Sequence, residues 1–273
     1  MTNYNHTDSL KIDSTLIMAL CDNLYEGAIS RIKKMEAELE ASLNKEIELG
    51  QLKSRFVSMA SHEFRTPLST ILSSAHLLEK YPNAEDQPKR LKHVQRIVSS
   101  VGLLTDILND FLNLGKIEQG KIPVVFVEFD LPEMIQKTID EIKSNLKGTQ
   151  TIKYEHEGGP LVNLDPDLLQ HILMNLVSNA SKFSPDDGCI EINTIKGEKF
   201  VTLSVKDHGI GIAAADQLHI KEAFYRAANA VNIQGTGLGL HIVDRYSELM
   251  NGTIKCTSEL YKGTDISITF LTK

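Results

Sequence analysis

Ser61-His62-Glu63-Phe64-Arg65-Thr66-Pro67-Leu68 sets an imidazole directly beside a carboxylate. Glu63 can accept the proton of one ring nitrogen of His62, which leaves the other nitrogen as a nucleophile. At about 100° per residue on a helix, Phe56, Ala60, Phe64, Pro67, Ile71, Ala75 and Leu78 gather on one side, and His62 falls roughly opposite them. The ring is therefore expected to face outward, with Pro67 bending the helix one turn further on. A histidine next to a glutamate is, by itself, an ordinary solvated pair. Its meaning depends on the rest of the chain.

Asn175, Asn179 and Lys182 share one edge of a helix whose opposite stripe is Leu169, Ile172, Leu173, Leu176, Val177 and Ala180, with Phe183 at its end. Neutral amide oxygens suit Mg²⁺, which keeps several waters and binds through phosphates, and the lysine adds positive charge for a polyphosphate. Such an edge is also common as a plain solvent face. Asp207-His208-Gly209-Ile210-Gly211 closes an expected strand, and Gly235-Thr236-Gly237-Leu238-Gly239-Leu240 opens an expected helix. Glycines admit phosphates to the backbone, and a helix N-terminus offers unpaired N–H groups to anions. A buried carboxylate at Asp207 can accept a hydrogen bond from the adenine amino group and disfavours the guanine carbonyl. The loop GxxxxGK[ST] is absent, as is the HRD and DFG set of other kinases.

These residues need scaffolds, and the pattern supplies two. From Ser14 to Gly50 the spacing of Ile32, Met35, Leu39 and Leu43 predicts an amphipathic helix or imperfect coiled coil. A helix continues over Lys53–Lys80, a turn follows at Tyr81–Pro88, and a second helix spans Lys89 to about Gly115. On this second helix Leu91, Val94, Val98, Val101, Leu108 and Leu112 trace a three-four spacing, with Thr105 filling one slot, and Ile97, Leu104 and Phe111 widen the apolar face. One partner helix cannot cover so broad a stripe, so a four-helix bundle built from two chains is expected. Beyond Gly120 the grammar becomes mixed. Strands are expected at 122–129, 151–157, 161–164, 190–195, 200–205, 253–257 and 265–270. Helices are expected from Pro132 to about Leu146, from Asp165-Pro166 through the asparagine edge, and from about Gly237 to Met250, after a loop at 212–234. This is an α/β sandwich, which makes the whole chain α+β.

The 273 residues, 41% hydrophobic and 24% charged, suffice for two cores, and the net charge of −7 argues against nucleic acid as a main partner. No apolar run approaches the roughly 18 residues of a membrane span, and no signal peptide is legible. Cys21, Cys189 and Cys256 form neither a disulfide framework nor a zinc site, and reduced, cytoplasmic thiols are expected.

Taken in order along the chain, the four constellations resemble the H, N and two glycine boxes of the two-component sensor histidine kinases. FVSMASHEFRTPLSTI resembles the H box, NLVSNASKFSP the N box, DHGIGI and GTGLGL the glycine boxes, and Glu222-Ala223-Phe224-Tyr225-Arg226 the F box. The resemblance covers Leu52 to Phe270. It implies a signalling helix at 1–50, a dimerisation and histidine phosphotransfer hairpin at 51–117, and a catalytic ATP-binding domain at 118–273. The latter is the sandwich shared with gyrase, Hsp90 and MutL. It further implies that His62 is the phosphoacceptor, Glu63 its base, and Thr66 the residue that orients water for dephosphorylating the partner. Asn179 would hold Mg²⁺ with Asn175 as a second contact, and Lys182 and Arg226 would meet the phosphates of ATP. Asp207 would read adenine over a floor of Gly209 and Gly211, beside Phe183. Gly235, Thr236, Gly237, Leu238 and Gly239 would hinge a lid at 212–234 and admit the phosphates. The implied partners are a second copy and a response regulator receiver domain. No sensor is recognisable before the helix, which is expected to pass register changes into the bundle. Ile220 stands where the family has Phe, which puts lid packing in question, and His208 replaces a commoner Asn or Asp. An ATPase that shares the sandwich but not the transfer step would leave the hairpin unexplained.

Overall fold

The computed structural model describes residues 14–81, 86–144, 146–230, 233 and 235–272; several side chains of the first helix, Phe56 and His62 included, also lie outside the description. The expected turn at Tyr81–Pro88 and the expected lid at 212–234 are thus described in part, and the expected outward ring of His62 lies outside the described residues. Two compact units emerge, Met1–Arg55 and Phe56–Lys273.

Helix α1 (Ser14–Glu79) contributes to both units. In the first, Leu24, Ile32, Met35, Leu39 and Leu43 are exposed, and Lys34 pairs with Glu38 at 3.9 Å one turn apart. A lone helix cannot bury its own stripe, so this seam is available to another helix.

In the second unit, α1 and α2 (Gln87–Glu118) form the hairpin. Its apolar surface divides in two. Ala60, Ile107, Phe111 and Leu114 are buried within the chain, whereas Leu68, Leu72, Leu91, Val94, Val98, Val101, Leu108 and Leu112 are bare. Val98 is 60% exposed and Ile107 only 2%, so the two faces of one helix differ outright. By length and composition α2 is also apolar enough to cross a membrane, against the expectation. Asp106 and Asp110 are the only charges from Ile97 to Leu114, which leaves the helix apolar by average composition.

A two-stranded sheet pairs β1 (Val127–Asp130) with β3 (Leu161–Leu164), antiparallel. A five-stranded sheet has the order β2-β4-β5-β7-β6, comprising β2 (Thr151–Gly158), β4 (Cys189–Lys196), β5 (Phe200–Lys206), β6 (Gly252–Glu259) and β7 (Gly263–Leu271). Only β2 and β4 are parallel, and the chain between them crosses over through β3 and α4 (Pro166–Phe183). Helices α3 (Leu131–Lys143), α4 and α5 (Gly239–Leu249) supply the other layer. Ile135, Leu169, Ile172, Leu173, Leu176 and Val243 from the helices, with Ile190, Ile192, Leu203, Ile268 and Phe270 from the sheet, form the core. That is the mixed sandwich after a helical hairpin which the sequence predicts.

Several boundaries shift by a few residues, and two of the shifts have a direct cause. The strand expected over 122–129 begins only at Val127, because β3 offers four partners and the Val125 N–H is taken at 2.7 Å by Oδ2 of Asp165. The helix expected from Gly237 begins at Gly239, since Gly237 has φ +69°, a left-handed conformation no helix residue adopts.

Candidate active site

Helix α4 carries the asparagine edge and is fixed at both ends. Asp165, almost fully buried, caps its start, and Oδ1 accepts from the N–H groups of Asp167 (3.1 Å) and Leu168 (3.0 Å). At the other end Gln150 donates to the carbonyls of Ser181 (2.9 Å) and Pro185 (2.8 Å), and the Ser181 hydroxyl donates back to it at 2.6 Å. Gln150 is not legible in the sequence, since nothing local marks a side chain that reaches across 31 residues. Between these anchors Asn175 gives its Nδ2 to the His171 carbonyl at 3.0 Å, which turns its Oδ1 toward Gly239 at the start of α5. Asn179 also lies beside Gly239, and Lys182 lies with its Nζ against Gly235. The N box and second glycine box are therefore neighbours.

Asp207 sits at the end of β5, buried, with Oδ1 accepting from the N–H of Gly209 at 2.8 Å and of Thr264 at 3.3 Å. Burial raises its pKa above the usual carboxylate value, and the two backbone N–H groups oppose that rise. The loop it opens is tied to α4, because the Ile210 N–H donates to the Phe183 carbonyl at 3.2 Å. Gly211 has φ +63°, and a Cβ there would collide with the Glu259 carbonyl. Only glycine fits. The reciprocal backbone bonds between Asp207 and Thr264 (2.8 and 3.3 Å) bring in a glycine the sequence reading missed, Gly263, whose Cβ would strike the Asp207 carbonyl. Its signal was a glycine at the head of a β-branched strand. His208, assigned no role, is half exposed and lies 2.8 Å from Glu191.

Among its described residues the expected lid segment, 212–234, carries 3₁₀ turns at Asp216–Leu218 and Ala228–Ala230. Asn229 donates to the Gly211 carbonyl at 2.8 Å, and the Tyr225 hydroxyl to Asp216 at 2.6 Å. Ile220, Ala223 and Phe224 are all buried, so isoleucine packs where the family's phenylalanine was looked for. Arg226 donates to the carbonyls of Ala230 (2.9 Å) and Ile233, and its Nη1 lies 3.9 Å from the buried Glu63 of α1.

The hairpin thus meets the catalytic sandwich at the residues singled out for chemistry. Burial, then the nearby Arg226, brings the Lys182 ammonium down to about 8, while Glu63 and Asp110 work the other way. Burial pushes Asp110 of α2 up to about 6, and its Oδ2 accepts the Thr236 hydroxyl at 3.0 Å. Thr236 also accepts the Leu238 N–H at 3.2 Å. Thr66 is exposed on α1 and lines a groove with Thr70, Ser74, Arg96 and Ser100. Among the described residues no cluster of three or more His, Cys, Asp or Glu could hold a metal by itself. The amide pair on α4 fits a hard cation that arrives with phosphates instead. Cys189 and Cys256 are free thiols; the side chain of Cys21 lies outside the described residues.

Comparison with known proteins agrees with this geometry. Residues 52–120 match the His Kinase A (phospho-acceptor) domain, and residues 164–273 match the histidine kinase-, DNA gyrase B-, and HSP90-like ATPase family. The chain is 32% identical over 249 residues to the sensor protein GacS of Pseudomonas syringae pv. syringae, covering 88% of this chain and 27% of GacS. It is likewise 32% identical to the autoinducer 2 sensor kinase/phosphatase LuxQ of Vibrio cholerae, covering 88% of this chain and 29% of LuxQ. Full-length ShkA, solved with AMPPNP, superposes with a TM-score of 0.56 at 28% identity, over 81% of this chain and 46% of ShkA. The chain spans less than a third of the length of these curated relatives. With a phosphoacceptor hairpin and an ATPase sandwich in this order, the chain belongs to the two-component sensor histidine kinases.

Proposed function

We propose that this chain binds ATP with Mg²⁺, phosphorylates His62 within a homodimer, and passes the phosphoryl group to an aspartate on a response regulator receiver domain. The observation that carries this reading is the approach of Arg226 to Glu63, the neighbour of His62, at 3.9 Å. It brings a lid cation to the phosphoacceptor segment. In this reading 1–50 is the signalling helix, 51–117 the phosphotransfer hairpin and 118–273 the catalytic domain. The chemistry is placed in the cytoplasm, where ATP is.

With Oδ1 of Asp207 committed to backbone N–H groups, Oδ2 accepts the adenine amino group. The triphosphate runs over the loop from Gly235 to Gly239 toward the start of α5, whose N–H groups face an anion. Asn175 and Asn179 hold Mg²⁺, which supplies charge neutralisation on the phosphates. Lys182 and Arg226 take up negative charge on the transferred group. A ring nitrogen of His62 attacks the γ-phosphorus, forming the N–P bond as the bond to the β,γ-bridging oxygen breaks and ADP leaves with that electron pair. Glu63 holds the proton on the other ring nitrogen. The receiver carboxylate then attacks the same phosphorus and the imidazole departs. Thr66 orients water for the reverse service, dephosphorylation of the partner, as the kinase/phosphatase name of LuxQ suggests for that relative. The bare stripes of α1 and α2 close into a four-helix bundle with a second copy.

The test is incubation of the chain with γ-labelled radioactive ATP. The expected label is acid-labile and base-stable, absent from His62→Gln, and chased onto a receiver domain. Label that survives His62→Gln overturns the reading.

A further inference from the structure

The stretch from Phe224, within the lid, to Thr236, just past it, rests by its two ends on adjacent residues of hairpin helix α2. At one end Phe224 packs on Phe111, ring centroids 6.5 Å apart, and Phe111 meets Phe64 edge-on at 6.1 Å. At the other end Thr236 donates its hydroxyl proton to Asp110. The ends are also joined to each other, since the Phe224 N–H donates to the Gly237 carbonyl at 3.1 Å. Phe224 holds φ +67°, a left-handed conformation unfavourable for a bulky residue, which marks a place where the surroundings dictate the backbone. The lid base is therefore one closed unit seated on the pair Asp110-Phe111. Phe111 gives that seat area without direction. The hydrogen bond gives it register, because a hydroxyl has one proton and Thr236 spends it on Asp110. Thr236 is buried, so water does not readily replace this partner.

We propose that Asp110 is a positioning residue for phosphoryl transfer: by taking the Thr236 hydroxyl it registers the lid base, and with it the phosphate loop, against the helical segment that bears His62. The inference rests on the proposed kinase reading. Asp110 lies outside every motif of that reading and is assigned no contact with ATP. Loss of the bond leaves nucleotide binding in place and misaligns attack. Small misplacements of reacting groups lower rates by about ten- to a hundredfold.

The experiment is His62 labelling by the full chain at varied ATP, in wild type, Asp110→Ala, Asp110→Asn, Thr236→Val, and Asp110→Ala combined with Thr236→Val. The expected result for Asp110→Ala is a rate at saturating ATP reduced about tenfold, with KM for ATP within about twofold of wild type. Asp110→Asn recovers most of the rate, because an amide oxygen accepts the same hydrogen bond. In the Thr236→Val background Asp110→Ala costs nothing further. The proposal is overturned by a wild-type rate in Asp110→Ala, by an Asn variant as slow as the Ala variant, by additive effects, or by a loss that lies in KM or in nucleotide binding. A wild-type chain that fails to label His62 overturns the kinase reading instead.

Discussion

Replacing Lys182 by arginine should change the pH dependence of nucleotide binding more than its strength at neutral pH. The Lys182 ammonium is brought from an ordinary 10.5 to about 8, first by burial and then by Arg226. A polyphosphate binds the charged form, so above pH 8 binding must recruit a proton the free site has lost. Affinity for an ATP analogue should then fall about tenfold between about pH 7 and about pH 9, or about 1.4 kcal/mol. The sign for stability is opposite. Between about 8 and 10.5 the unfolded chain holds more protons on this lysine than the folded one, so this group makes the fold more stable as pH rises. Weaker binding at high pH is thus not a melting effect of this site. Lys182→Arg keeps its charge throughout, and its binding curve should be flat over the same range. The assay is titration of the full chain with a fluorescent ATP analogue and Mg²⁺ at each pH. A flat wild-type curve, or an equally steep arginine variant, refutes the reasoning.

Two further outcomes follow from the same geometry. Val98→Glu together with Leu112→Glu places charge on bare stripe residues of α2, 60% and 54% exposed in the single chain, and should convert a dimer to monomers in light scattering while nucleotide still binds. Persistence of the dimer removes the stripe from the interface. Asp207→Asn puts an amide where a carboxylate accepts backbone N–H bonds, and should weaken ATP binding by about ten- to a hundredfold in calorimetry, the worth of about 1.5–3 kcal/mol for a hydrogen bond to a charged group. Unchanged affinity would take adenine recognition away from this residue.

The local pieces were legible in the sequence because each is written in short-range terms. The capping carboxylate of Asp165 before Pro166, the stripe from Leu169 to Ala180, and the glycines around Asp207 and Thr236 are patterns of a few residues, and the structure places them on α4, after β5 and before α5. Pairing was harder to read. The strand expected over 122–129 lost its first half because strand length is set by the partner, and β3 has only four residues. The broad stripe of α2 suggested more than one partner, and its division into a buried face at Ile107 and Phe111 and a bare face at Val98 and Leu112 required the folded chain.

The sequence alone determined which chemistry is present, for it fixes residue types and their helical or strand spacing. Tertiary structure alone decided what converges. Gln150 holding Ser181, Gly263 beneath Asp207, and Asp110 holding Thr236 from 126 residues away join parts of the chain with no local relation. The reason is physical: periodicity reports which face of an element is apolar, whereas a hydrogen bond between two elements depends on the three-dimensional packing that carries them to within about 3 Å.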